Sequence, residues 1–275
     1  MRTIKKIINE SSETQEIRGL IGIYEEIAAG KMQEIRGGIM NARDFFERLT
    51  ILSSEVGADL ETAGLGTSGE GAVFVSAGTG LFGDLIDKIF FNFMDFVRKN
   101  PKVDKFVIGK LGDEMMKTLA GNTDYKYYDL VDEELKGEEL SVLMKELVVY
   151  KKIYLFYGKF GNIVNQETRV DTVSGQVLGN IQDEKSLSEQ KFLYLYEPTI
   201  VEIAKVFSEE IAGAIFNQTI AESRLAKYAA RLMHLDSALE KVDDRLMNLS
   251  LEKMKAAKRI GEKKQMSSYA GLVAI

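Results

Sequence analysis

A glycine-rich segment is the part of this sequence best suited to chemistry. Residues 78–83 read Gly-Thr-Gly-Leu-Phe-Gly and match the G-x-G-x-x-G fingerprint of dinucleotide-binding proteins. In those proteins the glycines let the backbone approach a pyrophosphate at the amino end of a helix. The segment lies between a predicted strand at residues 72–76 and a predicted helix at residues 81–98. An NAD-binding oxidoreductase is therefore one hypothesis.

The neighbouring sequence argues against a cofactor at this loop. The next predicted strand, residues 105–108, is followed by Gly109 and Lys110, so no carboxylate stands where ribose hydroxyls would be bound. The chain contains no Walker-type phosphate loop, and we expect no ATP hydrolysis by the chain itself. We predict that no cofactor binds and that the glycines form a tight turn.

One histidine and a pair of aspartates are the remaining candidates for chemistry. With no cysteine and no second histidine, a metal site at His234 would need carboxylates for its other ligands. Asp243 and Asp244 stand near Lys241 and Arg245, where ion pairing along a helix is the ordinary explanation. We predict no catalytic residue and no metal site.

The composition limits the classes of protein to which the chain can belong. Its 275 residues are 45% hydrophobic and 28% charged, which is typical of a folded protein. The absence of cysteine rules out disulfides and fits a reducing compartment. A formal net charge of -6 argues against a general nucleic-acid-binding protein. The apolar runs are too short for a membrane span or a signal peptide, so we expect a soluble chain.

The first two predicted regions are a long helix and an α/β domain. Residues 1–56 form the helix, with Tyr24, Ala28 and Ile35 on its apolar stripe. Residues 57–197 begin with a glycine-rich loop and continue as a Rossmann-like domain of about five strands. The predicted strands are residues 72–76, 105–108, 152–157, 163–170 and 191–196, and the helices are residues 81–98, 112–119 and 133–149.

The C-terminal region, residues 198–275, is predicted to be a second long helix that packs against residues 1–56. Eight successive a/d heptad positions are apolar, as in a coiled coil: Leu225, Tyr228, Leu232, Leu235, Leu239, Val242, Leu246 and Leu249. The predicted fold is therefore an α/β domain plus a long antiparallel coiled coil. A coiled-coil adaptor protein is a second hypothesis that this pattern allows.

The end of the second helix is basic. Residues 252–264 contain six Lys or Arg residues and two Glu residues, which leaves a net charge of +4. Cations at a helix C-terminus are favoured by the helix dipole, and a basic collar could also face an acidic partner. Residues 270–275 are mostly apolar, which is typical either of a frayed tail or of a segment enclosed by another protein.

Several short segments together resemble one family, the gamma subunit of F-type ATP synthases. The similar segments are residues 4–8 and 27–32 near the N-terminus, and the loop and strand at residues 76–83 and 106–110. The resemblance continues in Tyr157-Gly-Lys-Phe with Gln166, in Tyr196-Glu-Pro, and in the C-terminal run 229–252. Each match is short, but they occur in the family's order from end to end.

The resemblance implies a non-catalytic central-stalk rotor that couples rotation to ATP synthesis or hydrolysis in a proton- or sodium-translocating complex. It implies alpha and beta subunits of a catalytic hexamer, an epsilon-type stalk subunit and a membrane rotor ring as partners, with no nucleic acid. The complex would lie on the cytoplasmic face of a membrane as a peripheral assembly. The residues expected at the hexamer are Lys31, Met32, Gly80, Leu81, Phe82, Gly83, Lys253, Lys258, Arg259, Lys263, Lys264, Tyr269, Leu272 and Ile275.

The chain also departs from the family pattern near both ends. Residues 257–264 replace the family's Ile-Thr-x-Glu pattern and the Arg-Gln pair that precedes it. Gly261 weakens the helix by about 1 kcal/mol relative to alanine. About three extra residues between Ile8 and Lys31 would overwind a coiled coil locally. These differences indicate a divergent or specialised member.

Overall fold

The computed structural model of the chain describes residues 3–56, 68–121, 123–129, 137–174 and 200–273. The elements in that part of the chain are, in order, α1 (Ile4–Val56), β1 (Ser68–Val75), α2 (Leu85–Lys99), β2 (Asp104–Ile108), α3 (Lys110–Leu119), β3 (Lys126–Tyr128), α4 (Gly137–Leu147), β4 (Tyr150–Phe160), β5 (Gln166–Ser174) and α5 (Ile200–Val273). A central mixed sheet between two long helices confirms the predicted fold class.

The chain forms two compact units. One contains Met1–Ala29 and Leu232–Ile275, and the other contains Gly30–Arg231. The sequence placed boundaries near residues 56 and 198, at the ends of the long helices. The unit boundaries fall inside these helices, because Phe46 of α1 and Phe216 of α5 already pack into the core beside the sheet.

The sheet belongs to the second unit and has the strand order β3-β2-β1-β4-β5. The first four strands are parallel, and β5 runs antiparallel to β4 at the edge. Strand β1 is central, and its residues 72–75 are all buried. A strand covered on both faces needs a continuous apolar run, and the sequence Ala-Val-Phe-Val supplies it.

Alternate residues of β1 enter two separate cores. Val73 and Val75 face a cluster that includes Leu143 of α4 and Ile211 of α5. Ala72 and Phe74 face the opposite cluster, which α2 and α3 cover. There the rings of Phe74 and Phe93 stack with their centroids 5.4 Å apart. The sheet is therefore the middle layer of this unit.

Three of the differences between the predicted and the observed elements have a local cause. Strand β3 was missed, because three residues carry no usable alternation of apolar and polar side chains. Helix α2 begins at Leu85 and not at Leu81, whose positive φ of 72° is not helical. Strand β5 begins at Gln166 and not at residue 163, since Asn162 accepts two backbone hydrogen bonds that close a turn there.

Other sequence predictions fall outside the described residues. These are the strand at residues 191–196, residues 57–67 of the loop predicted at residues 57–71, and the start of the helix predicted at residues 133–149. Residues 68–71 of that predicted loop instead form the beginning of strand β1. The described part of that helix is α4. Helix α5 continues through Gly261 to Val273.

The first unit pairs the amino-terminal part of α1 with the carboxyl-terminal part of α5. Arg18 Nε donates to Asp243 Oδ1 over 2.6 Å, and Arg245 forms an ion pair with Glu10. Numbering rises on α1 as it falls on α5 between these pairs, which confirms that the helices are antiparallel. Asp243 thus pairs across the helices, and not along α5 as the sequence suggested.

Exchanging the charges of Arg18 and Asp243 is expected to test this register. Arg18→Asp and Asp243→Arg should each lower the Tm, because each leaves like charges opposite one another. The double exchange should recover most of the loss, and the recovery should shrink at high salt because both side chains are exposed. Thermal unfolding at low and high salt measures both effects, and equal losses in all three variants would contradict the pairing.

Candidate partner interface

The side chains of the predicted coiled-coil seam of α5 are buried or half-buried. Leu225, Tyr228, Leu235 and Leu249 are buried, and the other four heptad residues are half-buried: Leu232, Leu239, Val242 and Leu246. Seam residues of this kind stabilise a helix pair by removing apolar area from water.

The residues predicted for the stripe on α1 differ in their exposure. Ala28 and Ile35 are buried, but Tyr24 is 53% exposed. Met32, which the family resemblance assigned to the catalytic hexamer, is buried instead on the same stripe as Ala28 and Ile35. The spacing of four and three residues places Ala28, Met32 and Ile35 on one helix face. Tyr24 has the same spacing of four from Ala28 but is exposed.

Tyr24 belongs to a second apolar stripe in the first unit. Ile17, Leu20, Tyr24 and Ile27 follow one another at three, four and three residues, and all four side chains are at least half exposed. A continuous exposed apolar stripe on a long helix is typical of a surface that another protein covers.

Lys31 is placed differently from its neighbour Met32. Its ammonium lies 2.9 Å from Glu34, and this hydrogen bond raises the pKa of Lys31. Tyr228 and Arg224 of α5 are close enough to affect the same charge. Lys31 therefore remains ionised at neutral pH on a partly exposed part of the second unit.

Helix α5 contacts the glycine-rich loop at residues 78–83. Arg231 Nη2 donates to Thr79 Oγ1 over 2.6 Å and to the carbonyl oxygen of Gly80 over 3.0 Å. Its guanidinium also lies 4.3 Å from the centroid of the Phe82 ring, within cation–π distance. Phe82 is buried in the α2-side core, whereas Leu81 is 49% exposed at the tip of the loop.

A buried lysine binds Ser76, which directly follows β1 and precedes the same loop by two residues. Lys227 is 1% exposed, and its Nζ donates to the carbonyl oxygen of Ser76 over 2.7 Å. Lys227 and Arg231 are four residues apart, so both project from one face of α5. A buried ammonium loses its hydration, and the carbonyl restores part of that stabilisation.

This geometry does not favour a dinucleotide at the loop. Helix α2 begins at Leu85, after the last glycine of the fingerprint, and Asp84 stands at its amino end. The hydrogen bond from Lys88 lowers the pKa of Asp84, so an anionic carboxylate occupies the position where a phosphate would be attracted. Thr79 and Gly80 are already engaged by Arg231.

The basic residues predicted at the end of α5 are exposed in the first unit: Lys253, Lys258, Arg259, Lys263 and Lys264. Tyr269 is 71% exposed, and exposed Met254 and Met266 add apolar area to the same segment. The side chain of Leu272 and the whole of Ile275 lie outside the described part of the chain. A groove of about 820 Å³ lies between Ile4 and Ile7 of α1 and this segment of α5.

Within the described residues, no three His, Asp or Glu side chains are grouped as metal ligands would be. His234 is exposed on α5. None of the described helices has the length and apolarity needed to cross a membrane.

The contacts of Lys227 and Arg231 with Ser76 and the glycine-rich loop were not predicted from the sequence. One signal was available, because Lys227 interrupts the otherwise small and apolar stretch formed with Ala226, Ala229 and Ala230. A cation in such a stretch indicates a buried polar partner, but the identity of that partner depends on the fold.

Comparison with known families gives a match along nearly the whole chain. The model of the family described as ATP synthase matches residues 1–258. The ATP synthase gamma chain of Ruthia magnifica is 22% identical over 264 residues, which cover 90% of each chain. The gamma chain of Halothermothrix orenii is 24% identical over 268 residues, covering 91% of this chain and 90% of that one.

Solved structures with a similar fold are chains of mitochondrial ATP synthases. A chain in a structure of the Euglena gracilis mitochondrial ATP synthase rotor has a TM-score of 0.62 at 14% identity, covering 94% of this chain and 98% of that one. A chain in the central stalk and c-ring of the Tetrahymena thermophila enzyme has a TM-score of 0.57 at 14% identity, covering 80% and 99%.

Proposed function

Because the chain belongs to the ATP synthase gamma family, we propose that it is the central-stalk rotor subunit of a rotary ATPase. It is a non-catalytic subunit, and its rotation couples ion flow to ATP synthesis or hydrolysis in a catalytic hexamer. The observation that supports this most strongly is the family match over residues 1–258, which spans both long helices and the sheet between them. The coiled-coil adaptor hypothesis does not account for that match.

The surfaces of the first unit suit a shaft that turns inside a ring of other subunits. The exposed stripe of Ile17, Leu20, Tyr24 and Ile27 offers apolar contact without fixed hydrogen bonds. Apolar contact is non-directional, so it holds a rotating shaft without trapping one angle. The exposed cations at residues 253–264 supply attraction to acidic loops of the hexamer.

The finer parts of the proposal concern partners, ion and location. The alpha and beta subunits would surround the first unit, and an epsilon-type subunit and the membrane rotor ring would bind the α/β domain. The exposed loop tip at Leu81 and the cation Lys31 are the second-unit residues that we assign to contacts with the hexamer. The driving ion would be a proton or a sodium ion, and the complex would lie on the cytoplasmic face of the membrane.

Reconstitution with catalytic subunits tests the proposal. The purified chain should show no ATPase activity, and it should copurify with alpha and beta subunits coexpressed from the same organism. The assembled complex should hydrolyse ATP faster than alpha and beta subunits alone, because a rotor makes the catalytic sites work in sequence.

Two controls separate this proposal from its rivals. Calorimetry with NAD should give no saturable binding, and binding that Gly80→Val abolishes would favour the oxidoreductase instead. A chain that joins no hexameric ATPase in the reconstitution would overturn the rotor proposal.

A further inference from the structure

Arg231 contacts the loop at residues 78–83 through directional hydrogen bonds as well as through packing. The guanidinium lies 4.3 Å from the centroid of Phe82 and 5.3 Å from that of Tyr228. It donates two hydrogen bonds to Thr79 and Gly80, while its buried Nε has no hydrogen-bonding partner among the described residues. One side chain thus joins three residues of the loop to helix α5.

The loop conformation that Arg231 holds is not one that the loop residues prefer. Leu81 has a φ of 72° and is the only non-glycine residue with positive φ in the described part of the chain. A side chain of this type rarely adopts the left-handed region, so neighbouring contacts must maintain it. The hydrogen bond to the carbonyl of Gly80 acts on the peptide group that directly precedes Leu81.

Small side chains of α5 also pack near the loop. Ala226 and Ala230 are buried in the core cluster that contains Phe82. Small residues let the helix approach closely, but they provide little that would resist sliding along the helix axis. Lys227 and Arg231 add directional hydrogen bonds one turn apart, to Ser76 and to the loop tip.

We propose that Arg231 is a positioning residue that fixes the loop at residues 78–83 to helix α5, so that the α/β domain turns together with the helix under load. This inference rests on the proposed rotor function. Torque between a helix and a domain passes through contacts that resist shear, and the planar guanidinium resists it through two hydrogen bonds and the ring face of Phe82. Tyr228 lies on α5 beside Arg231 and packs against the same guanidinium from within the helix. Lysine offers a single point charge and cannot reproduce that arrangement.

Hydrogen exchange on the isolated chain tests the local part of the inference. In Arg231→Met the amides of residues 79–83 should exchange at least about tenfold faster than in the unaltered chain, because a hydrogen bond to a charged group is lost. Arg231→Lys should give an intermediate rate. The control Arg98→Met removes an exposed arginine from α2 and should leave these amides unchanged. Equal exchange in Arg231→Met and the unaltered chain would overturn the inference.

Ion pumping by the assembled complex tests the mechanical part. With Arg231→Met, the number of ions pumped per ATP hydrolysed should fall while ATP hydrolysis continues, and Arg231→Lys should restore part of the ratio. A purely structural role would lower the yield of complex and leave this ratio unchanged, which would contradict the inference.

The two proposals fail in different ways. If the unaltered chain joins no hexamer, the rotor proposal is wrong, whereas the exchange experiment still decides whether Arg231 fixes the loop. If the unaltered complex pumps ions and the Arg231→Met complex pumps them equally well, only the positioning role is wrong.

Discussion

Gly109→Ala is expected to destabilise the α/β domain by about 3 kcal/mol, from backbone strain and steric overlap together. Gly109 has a φ of 99°, and a Cβ there would lie 2.8 Å from the backbone nitrogen and oxygen of Ala77. The Ala77 backbone cannot easily retreat, because its carbonyl accepts a hydrogen bond from Leu111 over 2.9 Å. Chemical denaturation of the isolated chain measures the loss.

Two other glycines separate the causes of this effect. Gly121 has a φ of 65° with open space around a Cβ, so Gly121→Ala should cost only the strain, about 1 kcal/mol. Gly112 has no positive φ, but a Cβ would lie 2.7 Å from the Cβ of Ser76, so Gly112→Ala reports the overlap. A loss at Gly109 no larger than that at Gly121 would show that the approach to Ala77 is unimportant.

Reversing charge at the basic end of α5 is expected to slow association with the catalytic hexamer about tenfold or more at low salt. The variant Lys253→Glu, Lys258→Glu, Lys263→Glu replaces three exposed cations in the segment proposed to face acidic loops. The difference should shrink as salt is added, because exposed charges are screened over about 10 Å at 0.1 M. Stopped-flow or surface-binding kinetics with preformed alpha and beta subunits measures it.

A matched variant keeps the change in net charge the same. Lys102→Glu, Lys110→Glu, Lys151→Glu alters three exposed lysines of the α/β domain instead. It should associate with the hexamer at nearly the unaltered rate. Equal slowing by both triple variants would mean that net charge, and not the basic end of α5, controls association.

The long helices were the easiest elements to predict. The chain has two prolines, and the eight apolar heptad positions from Leu225 to Leu249 repeat without interruption. Periodicity of this kind is local in sequence, so it survives in the folded chain. The central strand β1 was predictable for a similar reason, because a short apolar run between turn residues is typical of a buried strand.

Tyr24 shows where periodicity alone was insufficient. Its spacing from Ala28 suits a buried stripe, but so does its spacing from Leu20 and Ile27, and the structure leaves it on the exposed stripe. Two overlapping apolar stripes on one helix cannot be ranked without knowing the direction of the partner helix. The prediction also missed strand β3, because that strand forms by pairing with β2 and its own three residues do not indicate this pairing.

The glycine fingerprint was readable in the sequence, yet its role was decided by residues more than 140 positions away. The sequence established that residues 78–83 form a tight loop between a strand and a helix, because glycine and turn chemistry are local properties. Only the tertiary structure places Lys227 and Arg231 against Ser76, Thr79 and Gly80. Such contacts depend on how α5 packs against the sheet, and the packing of the whole α/β domain determines that arrangement.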